Sequence, residues 1–163
     1  MKSLLLVRHA KSSWDSPSLS DFDRPLNNRG LRDAPMMARR LKERKIRVDS
    51  FVSSTANRAF STAEFFATEF GVKESGIVKV PRLYHAAPDT FRDVIAQLNN
   101  DWQTVALFSH NPGITEFVNE LEVARIDNMP TCAVFGVHFL CDNWKDFEKA
   151  ERRFWLFDYP KNL

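Results

Sequence analysis

The run Leu4-Leu5-Leu6-Val7 is apolar at every position and is closed on its carboxyl side by Arg8 and His9. Side chains alternate between the two faces of a strand, so a strand apolar throughout has to be covered on both faces. Strands of parallel sheets with helices on both faces meet that demand. The later sequence repeats the theme. Short strands are expected over Ser50–Ser53, Ile77–Val80 (closed by Pro81) and Thr104–Phe108. Between them lie stretches with apolar residues at helical spacing. The first is expected from Asn28 to about Arg44, capped by Asn27, with Ala34, Met37, Ala38 and Leu41 inward and basic residues in its last turns. Pro35 lies inside it and predicts a kink or a later start. A second runs from about Ala56 to Phe70 and ends at Gly71, a third covers about Asp89–Leu98, and a shorter fourth covers Ile114–Leu121. Beyond Pro130 the pattern changes to two longer strands, Ala133–Leu140 and Arg152–Tyr159, with no long helix between them.

The predicted fold is therefore α/β: a three-layer α/β/α sandwich around a mostly parallel central sheet, with an antiparallel C-terminal strand pair at one side. A chain of 163 residues suits one domain spanning 1–163 and can bury about 70% of its unfolded surface. The net charge of +2, from 23 basic and 21 acidic residues, gives no general attraction to nucleic acid or to an anionic membrane. Cys132 and Cys141 are the only cysteines and have no metal-type spacing, so a reducing, cytoplasmic setting is expected. No apolar run approaches the ~20 residues that cross a bilayer.

In open α/β sheets, ligands sit beyond the carboxyl ends of the strands. That rule puts His9, Arg58, His85 and His110 along one rim, each shortly after a predicted strand. Arginine presents a planar fork of donors that matches phosphate oxygens and stays charged at any working pH. Arg8 and Arg58 together could hold one phosphoryl group, and its transfer depends mainly on positioning and electrostatics. A neutral histidine beside them could attack phosphorus and form a phosphohistidine intermediate, with no metal or cofactor. These residues alone leave open whether His9 or His110 attacks.

Three motifs carry a resemblance that bears on this. Arg8-His9-Ala10 follows the first strand, Ser54-x-x-x-Arg58-Ala59 opens the second helix, and His110-Asn111-Pro112-Gly113 follows a later strand. Together they resemble the histidine phosphatase (phosphoglycerate-mutase-like) superfamily. Arg8-His9-Ala10-Lys11-Ser12-Ser13-Trp14, Asp23-Arg24-Pro25-Leu26-Asn27 with Arg29-Gly30, and Pro130-Thr131 resemble more closely its small SixA-type phosphohistidine phosphatases. The resemblance spans essentially the whole chain and implies that His9 is the nucleophile, that Arg8 and Arg58 bind the phosphoryl group, and that His110 completes the pocket. Activity should then fall in acid, where His9 protonates and loses its lone pair.

Two departures stand out. Ala10 replaces the superfamily's usual glycine. Larger members carry an acid after the third strand to protonate an alcohol leaving group, whereas this chain has Leu83-Tyr84-His85-Ala86-Ala87-Pro88-Asp89. Only His85 and Asp89 are candidates there, and Asp89 suits the first turn of a helix better. An alkoxide leaves poorly without an acid, while an imidazole leaves readily, its conjugate acid having a pKa of ~6.5. The same loop is too short for the cap found in larger members. Both features favour a phosphorylated histidine-containing protein as substrate over a small phosphate ester, which is the alternative, as is a module that binds phosphoprotein without turnover.

Lys11, His85 and Thr131 are further candidates for contact with substrate. Asp15, Asp21 and Asp23 read as turn formers rather than metal ligands. His138 and Cys132 read as structural, and the bases and aromatics between Trp144 and Trp155 as an amphipathic sheet edge rather than an RNA surface.

Overall fold

A computed structural model describes residues 1–162. Strands β1 (Lys2–Arg8), β2 (Ser50–Ser53), β3 (Ile77–Lys79), β4 (Thr104–Ser109), β5 (Val134–Phe139) and β6 (Arg152–Asp158) form one sheet in the order β3-β2-β4-β1-β5-β6. The first four are mutually parallel, β5 runs antiparallel to β1, and β6 antiparallel to β5. The helices are α1 (Asn28–Glu43), α2 (Asn57–Glu69), α3 (Pro88–Ala96) and α4 (Gly113–Glu120). None of the described helices is long and apolar enough to cross a membrane.

The apolar run of β1 divides as its pleat requires. Leu4 and Leu6 pack with Phe91, Ile95 and Phe117 of α3 and α4, while Leu5 and Val7 pack with Met37, Leu41 and Phe66 of α1 and α2. The central β4 does the same, with Val105 and Leu107 on one face and Ala106 and Phe108 on the other. Burying each large apolar side chain among these stabilises the fold by roughly 1.5–3 kcal/mol. Because β1 and β4 lie side by side in the middle, the residues just beyond each of them emerge at one point on the sheet's rim.

Helix α1 begins at Asn28, not after Pro35. The Asn27 side chain accepts a 2.9 Å hydrogen bond from the Gly30 amide, a cap that fixes the start. Pro35 costs one intrahelical bond, which the buried stripe Ala34, Met37, Ala38 and Leu41 offsets. Gly30 has a separate reason: a Cβ there would lie 2.2 Å from the carbonyl oxygen of Lys11, so only glycine lets α1 approach the loop after β1. The link between β5 and β6 holds only a 3₁₀ turn at Trp144–Asp146, and Trp144 is core, with Lys2 Nζ over its ring. His138 bonds Ser3 Oγ at 2.7 Å and stacks on Trp155, a structural position.

Candidate active site

The carboxyl ends of β1, β2 and β4 are stitched together by main-chain bonds. The His9 amide donates to Ser109 O, the Ser54 amide to Phe108 O, and the Cys132 amide to both Arg8 O and His9 O. Thr62 of α2 adds a tie that sequence reading did not find. Its hydroxyl accepts from the Ala10 amide at 3.0 Å and donates to Arg58 O at 2.7 Å. Histidine loop and arginine helix are thus fixed to each other. The Ala10 methyl is fully buried in the apolar cluster with Leu5 and Val7, so the exchange for glycine is accommodated.

His9 and His110 face each other with ring centroids 5.2 Å apart. His9 Nδ1 lies 2.7 Å from Ala10 O. A carbonyl oxygen only accepts, so Nδ1 carries the proton and Nε2 keeps the lone pair. Burial, opposed by the Ala10 bond and reinforced by Arg58, Arg8 and Arg24, holds the His9 pKa down at about 3. His110 is held down to about 2, by burial first and then by His9 and Arg58. Both rings are neutral at any ordinary working pH. His110 Nε2 is engaged by Ser54 Oγ at 2.8 Å, a partner 56 residues away in sequence.

The two arginines are held differently. Arg8 Nη1 donates to Met129 O at 2.8 Å, and Asn111 Nδ2 donates to the same carbonyl. Arg58 Nη1 donates to Asp21 O at 2.6 Å and Nη2 to Asp21 Oδ2 at 3.0 Å. Burial first, then the charge of Arg58, push the Arg8 guanidinium below its ordinary pKa. Among the described residues, four buried side-chain polar atoms lack a hydrogen-bond partner: Arg8 Nε, Arg58 Nε, His110 Nδ1 and Asp33 Oδ2. Three of the four belong to residues singled out by sequence. Leaving a buried donor unpaired costs about 1–3 kcal/mol, so the unpaired N–H groups of Arg8 and Arg58 favour an added acceptor.

Of the other candidates, His85 lies near the central histidines. Its Nε2 is 3.7 Å from Asp21 Oδ2, its ring is 6.3 Å from that of His110, and it adopts φ 54°, a conformation His tolerates better than most residues. Lys11 is exposed and, among the described residues, makes no hydrogen bond or ion pair with the four central side chains. Thr131 is half-buried beside Cys132 at the end of β1, and its hydroxyl has no partner among the described residues. Asp89 is turned outward onto Arg92 and takes no part. Cys132 is fully buried, and burial raises its thiol far above the ordinary range.

Asp21 is the residue that sequence reading undervalued. It does form a turn, the 3₁₀ segment Asp21–Asp23 capped by Ser20, but its carboxylate also accepts from Arg58, from Arg24 and, at 2.6 Å, from Tyr84 Oη. The Tyr84 bond first, then Arg58, hold it down to about 2. Nothing in the spacing of Asp21, Arg58 and Tyr84 signals that contact.

The strand ends of this α/β sheet bring two neutral histidines, the buried Arg58 and the half-buried Arg8 to one rim, a set of groups suited to holding an oxyanion. Comparison with known proteins gives the lineage. Residues 4–87 match the histidine phosphatase superfamily (branch 1). A Mycobacterium leprae protein of unassigned role is 33% identical over 167 residues, covering 95% of this chain and all of its own. A structure from Agrobacterium tumefaciens, assigned to the phosphohistidine phosphatase SixA, superposes with TM-score 0.77 at 28% identity over 98% of both chains. That of a protein histidine phosphatase SixA complexed with tungstate superposes with TM-score 0.82, 98% coverage of both and 23% identity, a likeness of fold. The chain belongs to the histidine phosphatase superfamily, with a SixA-like fold.

Proposed function

We propose that the protein is a metal-independent phosphatase that works through a phosphohistidine intermediate on His9 and acts on phosphohistidine carried by a partner protein. The observation that carries this reading is the set of unpaired polar atoms, Arg8 Nε, Arg58 Nε and His110 Nδ1, beside a histidine whose free lone pair is on Nε2. Arg8, Arg58 and His110 hold the phosphoryl oxygens while His9 Nε2 attacks phosphorus. The P–N bond to the partner's imidazole breaks as the new P–N bond forms. The partner's ring first takes up a proton from solvent on its other nitrogen, so it departs as neutral imidazole, whose conjugate acid has a pKa of ~6.5. Water then attacks phosphorus, releasing inorganic phosphate and restoring His9.

The choice of substrate rests on acid chemistry. Asp21 is a carboxylate at the pocket, but Tyr84 and Arg58 keep it ionised well below neutral pH, so it has no proton to give. Asp89 faces away. An alcohol leaving group finds no carboxylic acid, while an imidazole needs none. The open rim, where the His85 side chain is 63% exposed, leaves room for a side chain on another folded protein. In a side-by-side assay, a phosphohistidine-bearing protein should be hydrolysed far faster than simple phosphate esters. Esters turned over faster by orders of magnitude would sink the leaving-group reasoning and make a small phosphate ester the substrate.

A further inference from the structure

Both outer nitrogens of Arg58 are engaged by one residue. Nη2 meets Asp21 Oδ2 at 3.0 Å and Nη1 meets the Asp21 carbonyl at 2.6 Å, leaving Nε unpaired. Arg8 has no such partner among the described residues: its Nη1 meets only the Met129 carbonyl. One arginine of the clasp is charge-compensated and the other is not. The Asp21 carboxylate is itself held from three sides, by Arg58, by Tyr84 Oη at 2.6 Å and by Arg24, whose Nη2 lies 3.2 Å from Oδ1. Arg24 is fixed in turn by stacking 3.5 Å over the Trp14 ring. These contacts hold the carboxylate against Arg58.

We infer that Asp21 is a positioning residue that weakens the pocket's grip on phosphate, so that the product leaves between turnovers. This rests on the phosphatase reading above. Two guanidinium groups, Arg58 buried and Arg8 half-buried, would with the neutral histidines hold a phosphate dianion strongly, since charge-assisted bonds are among the strongest available. Such a site binds substrate and product alike, and tight uniform binding of that kind does not speed turnover. A fixed negative charge against Arg58 opposes the ground-state dianion while keeping the Arg58 fork in place. The role differs in sign from a merely structural one. If Asp21 only steadied Arg58, its loss would loosen phosphate binding. If it tempers the charge, its loss tightens binding.

The test is titration of the intact protein with inorganic phosphate, together with phosphate inhibition of turnover. Asp21→Asn keeps the size and one acceptor oxygen and removes the charge. Phosphate should bind it roughly tenfold more tightly at low salt, the scale of one partly screened charge, with the gap narrowing as salt is added. Product inhibition should tighten by the same factor, and kcat should fall without a fall in kcat/KM. Asp21→Glu, which restores the charge, should return phosphate affinity close to that of the native protein. Unchanged or weaker phosphate binding in Asp21→Asn overturns the inference, as does equal tightening in Asp21→Glu. If the native protein binds no phosphate, the phosphatase reading falls as well. If it binds and Asp21→Asn does not tighten, only the role of Asp21 falls.

Discussion

In the free protein, His9 is expected to remain an uncharged imidazole, with its proton on Nδ1, throughout the range in which ordinary histidines titrate. The perturbation is pH. Its ring is buried and lies near Arg58, Arg8 and Arg24, which together bring it from 6.5 to about 3 against the opposing pull of the Ala10 carbonyl. That displacement corresponds to roughly 5 kcal/mol in favour of the neutral form. At pH 5 a free histidine is about 97% protonated, whereas this ring should be on the order of 1% protonated. Nitrogen NMR on histidine-labelled protein reads the state directly. His9 and His110 should show one protonated and one bare nitrogen from pH 8 to pH 5. The linkage sets the range of the experiment. Between about 6.5 and 3 the unfolded chain binds a proton at His9 that the folded chain refuses, so stability is lost as pH falls. The slope is at most ~1.4 kcal/mol per pH unit for each ring, and circular dichroism should accompany each titration point. The acid limb of kcat/KM should accordingly fall below pH 5. The expectation that acid removes the lone pair keeps its sign and moves to lower pH. A His9 midpoint between 6 and 7 in the folded protein would mean that neither burial nor the three arginines hold the ring neutral.

Further substitutions probe the site and its frame. His9→Ala should abolish turnover, and replacement of Arg8 or Arg58 by Lys should cost on the order of 10²–10³ in rate, as the loss of other preorganised electrostatic groups does. Rapid quenching of the native enzyme with labelled substrate should trap acid-labile phosphate, and an acid-stable adduct or none would count against the intermediate. Gly30→Ala forces a methyl to within 2.2 Å of Lys11 O, so it should destabilise the fold by about 1–3 kcal/mol, seen as a lower Tm. A Tm equal to that of the native protein would show that α1 does not need its close approach to the loop after β1.

The layers were legible because one short segment had to satisfy two neighbours at once. Leu4-Leu5-Leu6-Val7 reads as a strand covered on both faces, and the structure splits it between the α3–α4 and α1–α2 clusters. The rule for strand ends puts His9, Arg58, His85 and His110 along one rim; His9 and His110 directly follow a parallel strand and Arg58 lies in the first turn of the helix beyond one, while His85 lies further along its loop. What was not legible depended on how loops fold back. Thr62 ties Ala10 to α2 across 52 positions, and Ser54 meets His110 across 56. In sequence, Thr62 is an ordinary helix residue. Lys11 is the converse: a cation close to His9 along the chain that faces solvent, because the chain turns there to meet Asn27.

Asp21 shows why residue type alone could not settle the chemistry. A carboxylate beside the proposed phosphoryl site would ordinarily be read as the missing proton donor. Whether it can donate depends on which form its partners prefer. Arg58 and Arg24 are cations, and Tyr84 offers a hydroxyl proton at 2.6 Å, so every hydrogen bond that the side chain accepts from them favours the ionised form. A donor role would need the reverse, an apolar wall or a second carboxylate that raised its pKa. On the proposed chemistry, three contacts on one carboxylate therefore decide that an imidazole can leave this site unaided while an alkoxide cannot.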